Sequence, residues 1–200
     1  LGLWTRRTLA TLNYRLDDEE ALPTPGPRRW IIWVSALSLG SIASSIAVTN
    51  SWTLVGVLLP LTLTGPALAA IDQDVMRLPN RILGPVAFVT LAGLVGAAAW
   101  RGTWTIAVQS IAGAFLAGGT FWLLNWATHG GVGFGDVKLA SLVGLVAGAV
   151  SLAAVWWAVA LGTAGALIWA RVRRREGPFA YGPSLLTGTL CATLAGLGLG

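Results

Sequence analysis

Long apolar runs separated by short polar breaks dominate the chain. Runs at residues 30–48, 52–71, 82–100 and 103–127 hold 19 to 25 residues each. A helix rises about 1.5 Å per residue, so about 20 apolar residues cross the ~30 Å hydrocarbon layer of a bilayer. Residues 137–170, 34 in number, are too long for one span and predict two short ones, and residues 181–200 make a seventh. Residues 1–29 break the pattern: they are charged, contain the segment PTPGP, and read as a solvated, flexible tail. The predicted fold is all-α, a polytopic membrane protein of about seven transmembrane helices, with a charged tail at 1–29 and a membrane-embedded domain at 30–200.

Composition agrees. With 55% hydrophobic and 10% charged residues and a mean hydropathy of +0.72, the chain has too little polar surface to cover an aqueous globule. The opening tail lacks the apolar run of a cleavable signal peptide, so the first span is expected to stay in the protein. Of the 13 Lys and Arg residues, 12 fall on the same predicted side as the tail, among them Arg77, Arg81, Lys138 and Arg171 to Arg175, and only Arg101 lies opposite. Short cytoplasmic loops retain such residues, so the N-terminus is predicted to be cytoplasmic. A single span over 137–170 would put Lys138 and the Arg171 cluster on opposite faces, a second reason to expect two. Trp30, Trp33, Trp52, Trp100, Trp104, Trp126 and Trp169 lie near span ends, where indoles suit the headgroup layer. The formal charge of +5 is therefore an orientation signal and an attraction to anionic lipid, not a nucleic-acid footprint. One cysteine, Cys191, and one histidine, His129, offer neither a disulfide framework nor a zinc site, and no metal or cofactor is predicted.

The candidate chemistry is acidic. All eight Asp and Glu residues fall on the predicted cytoplasmic side, and two of them, Asp72 and Asp136, abut spans directly. A charge at that depth is costly, and such residues are functional candidates. In AAIDQDVMRLPNRIL, Asp72 ends a span, Pro79 stops the helix, and Asn80 is placed to cap the next one. Asp74, two residues from Asp72, cannot share its helical face, so at most one of the two points into a common site. In HGGVGFGDVKLA, Asp136 stands where an N-cap would, but a cap needs no Gly130, Gly131, Gly133 and Gly135 before it. A site receiving an extended peptide does benefit from such bare backbone. Two nearby carboxylates on one membrane face suit an aspartic protease: one takes a proton from water while the other protonates the scissile carbonyl. Helix ends suggest Asp136 as the base and Asp72 as the acid.

Three segments together resemble the type IV prepilin peptidases, relatives of the archaeal preflagellin peptidases among the GxGD membrane aspartic proteases. These are AAIDQDVMRLPNRI, GFGDVKLA with its GxGDxKL signature, and GPFAYGPSLLTG; their order and spacing cover residues 31–200. The resemblance implies Asp72 and Asp136 as the catalytic pair, Gly133 and Gly135 shaping the substrate approach, and Lys138 as an auxiliary residue of the same site. It implies as substrate the basic leader of a prepilin or pilin-like protein, cut at the cytoplasmic face of the bacterial inner membrane, commonly after glycine. The larger members carry a methyltransferase region with paired CxxC motifs; with none here, the chain looks peptidase-only. The family pattern offers no role for residues 1–29, and the oligomeric state does not follow from the sequence. A presenilin-like intramembrane protease, a small proton-coupled transporter and a catalytically silent assembly protein remain as alternatives.

The spans carry further signals. Pro60 and Pro66 can kink the second span and so swing Asp72 toward Asp136. Gly144 with Gly148, and Ala114 with Gly118, allow close helix packing. Gln109 and Asn125 are expected to bond across helices, and His129 to be an interfacial loop residue.

Overall fold

The computed structural model describes residues 2–16, 19, 21–172 and 180–198, with Trp4 described by its backbone alone. The described residues form eight α-helices and no strand: α1 Gly2–Ala10, α2 Trp30–Thr49, α3 Val55–Val75, α4 Asn80–Arg101, α5 Thr105–Ala127, α6 Phe134–Gly148, α7 Leu152–Val172 and α8 Gly182–Gly198. A single 3-10 turn, Trp52–Leu54, leads into α3. The 137–170 stretch is two helices, α6 and α7, as its length predicts. Five helices are long and apolar enough to cross a membrane: α2, α3 with its leading turn, α4, α5 and α7. The other three are shorter: α6 has 15 residues, α8 17 and α1 nine.

Around its buried core the bundle also turns many bulky apolar side chains outward. On α2 the buried residues are Ile31, Ser35, Ser38, Ile42 and Ile46, a helical stripe that includes two serines, whereas Trp33, Leu37 and Val48 are exposed. Trp100, Trp104, Trp126, Trp156 and Trp157 are exposed as well. Such a surface is stable against lipid rather than water.

Small residues decide how closely the helices approach. A Cβ on Gly144 of α6 would strike the Gly113 carbonyl of α5 and come within 2.8 Å of the Ala117 Cβ. One on Gly148 would come within 2.7 Å of the Gln109 carbonyl. Gly144 thus packs against Gly113 and Ala117, Gly148 against Gln109 and Ser110, and Gly118 against Ser141. Glycines make the same close approach between α7 and α8, where a Cβ on Gly188 would fall 2.6 Å from the Gly162 nitrogen. Neighbours surround α6, in which 11 residues are buried. At about 22 Å long it is a short central helix held by others.

Helix α3 runs unbroken through Pro60 and Pro66. Pro60 removes the amide that would bond the Gly56 carbonyl, and that carbonyl lies against Gly93 of α4. The helix ends at Met76 in the left-handed conformation, φ 51°, with its N–H on the Asp72 carbonyl at 3.0 Å. The expected Asn80 cap is corrected, and Asp136 is not a cap either. Helix α4 starts at Asn80 with Pro79 in the cap position and no side-chain cap, and α6 starts at Phe134 behind Gly133, so Asp136 lies inside its first turn.

The described residues of the N-terminal segment attach to the bundle instead of extending from it as a solvated tail. Leu9 of α1 forms a small core with Ile31, Ala70 and Ile71. Gly2 sits so close to Ile32 that a Cβ would fall 2.8 Å from the Ile32 Cα. The acidic residues Asp17, Asp18 and Glu20, and the basic cluster with its following turn at 173–179, lie outside the described residues.

Replacing Gly144 by Ala is expected to push α5 and α6 apart and lower stability by about 1–3 kcal/mol, the usual cost of overpacking. Thermal unfolding in detergent should show a reduced midpoint, whereas Gly119→Ala, with open space around its Cβ position, should leave the midpoint unchanged or slightly higher.

Candidate active site

The α3–α4 loop, the start of α6 and the start of α8 meet at one end of the bundle. Antiparallel packing of successive helices puts them there, and direct contacts lock them. A Cβ on Gly135 would sit 3.4 Å from the Leu78 nitrogen, so the glycine lets α6 begin flush against the loop that follows Asp72. The Asn125 side-chain amide donates to the Val132 carbonyl and fixes the 128–133 loop to the end of α5. The expected polar bond of Asn125 thus runs to a loop rather than to another helix. His129, exposed with φ 50°, is a turn residue of that loop.

Asp72 is 3% exposed, and its Oδ2 accepts the backbone N–H of Gly182 at 2.8 Å. The contact leaves no room for a side chain: a Cβ on Gly182 would lie 2.6 Å from that oxygen. Asp136 is 9% exposed and packs over its own turn, where its N–H bonds the Gly133 carbonyl at 3.0 Å. A Cβ on Gly133 would be 3.3 Å from the Asp136 Oδ2. Gly135, next to Asp136, packs against Leu78 of the loop that follows Asp72, so the two aspartates sit at the same end of the bundle. The Tyr181 ring stands edge-on to Phe121 of α5 at 5.9 Å between centroids. The dipeptide Tyr181-Gly182 thus ties the start of α8 to Asp72 and to α5. Each carboxylate also faces a helix N-terminus, Asp136 in the first turn of α6 and Asp72 at the start of α8. Helix-end electrostatics alone do not divide base from acid here.

Lys138, which the sequence groups with the site, reaches across it. Its ammonium donates to the Asn80 Oδ1 at 2.9 Å and lies 5.2 Å from the centre of the Phe134 ring. The bond joins the segment carrying Asp136 to the one following Asp72. Asn80 therefore braces the site, and its placement beside Pro79 was the only signal for it.

Asp74 faces the other way, as its spacing from Asp72 requires. Its side chain is 7% exposed and meets Arg15, Arg28 and Tyr14 from the N-terminal segment. Two cavities of about 260 and 470 Å³ lie beside the aspartates without including them; both reach Gln73 and Pro183, the chain neighbours of Asp72 and Gly182. Among the described residues, no group of three or more His, Cys, Asp or Glu side chains is placed to hold a metal ion.

Chemically, two buried carboxylates at the edge of an apolar bundle, with a backbone amide aimed at one, can move protons to and from a substrate held between them. Comparison with known proteins points the same way. Residues 57–199, well over half of the chain, match the model of the type IV leader peptidase family. The chain is also similar to the prepilin leader peptidase/N-methyltransferase of Bacillus subtilis (strain 168), with 31% identity over 132 residues that make up 64% of this chain and 51% of that protein. It thus spans about half the length of this curated relative. No solved structure matches significantly. The stretch that matches the family contains Asp72, Asp136 and the Tyr181-Gly182 junction, and the chain belongs to the type IV leader peptidase family.

Proposed function

We propose that the protein is an aspartic endopeptidase that removes the basic leader from prepilin-like substrates, with Asp72 and Asp136 as its catalytic pair. The observation that carries this reading is the meeting of the two aspartate-bearing segments with the start of α8, through Gly182 on Asp72, Gly135 against Leu78 and Lys138 on Asn80, inside the stretch matched to the family. One carboxylate takes a proton from the attacking water as its oxygen bonds to the scissile carbonyl carbon. The other gives a proton to the carbonyl oxygen, and collapse of the tetrahedral intermediate breaks the C–N bond as the amine leaves protonated. Near one another, the two carboxyls resist ionising together and share one proton, the state this cycle needs.

Gly133 and Gly135 border the approach to Asp136 and keep side chains out of the path of an extended peptide. Lys138 acts there as a brace, through Asn80, between the two aspartate-bearing segments. The excess of Lys and Arg on the loops at this end supports a site at the cytoplasmic face of the bacterial inner membrane. Arg101 lies at the other end, where its Nε donates to Thr53 at 2.8 Å.

The purified chain and a synthetic peptide with a basic leader, a glycine at the cut and an apolar continuation provide the tests. Asp72→Asn and Asp136→Asn should each lower kcat/KM by roughly 10²–10⁴-fold, the share of a general acid or base, with Asp74→Asn, whose amide oxygen still accepts from Arg15, losing only about a few-fold. Cleavage that survives both principal substitutions would refute the enzyme assignment, and proton uptake into liposomes blocked by the same changes would favour a transporter. Gly182→Ala should displace the Asp72 carboxyl and reduce kcat by roughly 10²-fold while the protein stays folded by circular dichroism. Lys138→Ala and Asn80→Ala should each cost about two- to fivefold in kcat, equivalent to ~0.5–1 kcal/mol for one hydrogen bond. The double variant should be no worse than either single one, and additive losses would show that the two residues act separately.

A further inference from the structure

The most extensive polar network outside the aspartate pair joins the N-terminal segment to the end of α3. Asp74 lies one helical half-turn from Asp72 and on the opposite face. Arg15 grips it with two parallel bonds, Nε to Oδ2 at 3.0 Å and Nη2 to Oδ1 at 2.8 Å. The Tyr14 hydroxyl donates to the same Oδ2, and Arg28 Nη2 stands 3.4 Å from it. Arg28 also donates to the Tyr14 hydroxyl at 2.9 Å, with its guanidinium 5.7 Å from the centre of the Tyr14 ring. Three residues beyond Asp74, Arg77 donates to Glu19 through Nε and Nη2, and its Nη2 reaches the Tyr14 carbonyl at 2.8 Å. Arg15 ties the segment back on itself through the Leu22 and Pro23 carbonyls, each at 2.9 Å.

An apolar layer underlies this network. Leu9 packs with Ala70 and Ile71, the residues just before Asp72, and Tyr14 and Val75 lie against the same cluster. The catalytic helix end is thus held from beneath at Ile71 and from outside at Asp74 and Arg77. Between these two holds the Gly182 amide bonds the Asp72 carboxyl. The Arg15 and Asp74 side chains are 3% and 7% exposed. A fork of this kind, shielded from water, fixes direction as well as distance, which a mobile surface ion pair does not.

We propose that the described residues between Gly2 and Arg28 form a strap whose attachment to Asp74, through Tyr14, Arg15 and Arg28, sets the position of Asp72 against Asp136. Tyr14, Arg15, Arg28 and Asp74 are positioning residues: none contacts the reacting atoms. The strap lies almost wholly outside the stretch matched to the family, which begins at residue 57. The proposal rests on Asp72 and Asp136 being the catalytic pair, and its test therefore includes a readout that does not depend on activity.

The experiment compares the full chain with Arg15→Ala, Arg15→Lys and the mild Tyr14→Phe in one detergent. Peptide cleavage is followed beside hydrogen–deuterium exchange of residues 72–80 and 105–127. Arg15→Ala should lower kcat roughly tenfold to a hundredfold with KM within about twofold, because slight misplacement of a reacting group acts on the chemical step. Exchange in 72–80 should rise while that of 105–127 stays unchanged. Arg15→Lys, which keeps the charge without the fork, should recover part of the loss, and Tyr14→Phe should lose only a few-fold by the same logic. Faster exchange at 72–80 with kcat unmoved would overturn the positioning role, as would unchanged exchange there. A uniform rise across both segments would overturn it too, by making the strap a general fold element. If instead Asp72→Asn remains active, the catalytic assignment fails, while the exchange result still reports whether the strap holds α3.

Discussion

The site depends on one contact, the backbone amide of Gly182 donating to the carboxylate of Asp72 across 110 positions of sequence. It joins the last turn of α3 to the first residue of α8, and only a glycine tolerates it, since a Cβ there would overlap the carboxylate. An aspartate buried to 3% exposure needs a donor, because an unpaired polar group at that depth costs several times what a surface one does. Residue 182 supplies that donor from a helix N-terminus, whose partial positive charge suits a carboxyl. The preceding residue, Tyr181, stands edge-on to Phe121, so the same chain segment also ties the start of α8 to α5.

Close packing makes this meeting possible. The short helix α6, which carries Asp136, meets α5 backbone to backbone at Gly113 and Gly144, with Ala117 and Gly118 packed close beside. Glycines on α7 and α8 bring the start of α8 inward in the same way. In a bilayer, where apolar side chains gain nothing by leaving lipid, such small-residue contacts and a few polar bonds hold the helices together. The N-terminal segment adds a different kind of restraint from outside the bundle: a shielded carboxylate at Asp74 bound by two guanidinium groups and a phenol.

The apolar runs predicted the helices well, including the split of the 137–170 stretch, because spans leave a strong one-dimensional signal. Spacing alone also separated the faces of Asp72 and Asp74. The sequence did not reveal where Asp74 points, since its partners Tyr14 and Arg15 lie about 60 residues away and show no local pattern. The same holds for Asn80, which looks like a helix cap from its neighbours but binds Lys138, 58 residues later. Asp136 likewise resembled a cap because the glycines before it conceal where α6 begins. The tail was misjudged for a general reason: mixed charge and prolines describe a solvated segment equally well when its charges are paired with a distant loop. Its burial became visible only with the partners in place.

The most direct test of the central claim is an experimental structure of the chain bound to a leader peptide whose scissile amide is replaced by a hydroxyl-bearing, uncleavable unit. That hydroxyl should lie within about 3 Å of carboxyl oxygens from both Asp72 and Asp136, with the Gly182 amide still on Asp72. A hydroxyl held by one aspartate alone, or a peptide seated away from the pair, would contradict the account.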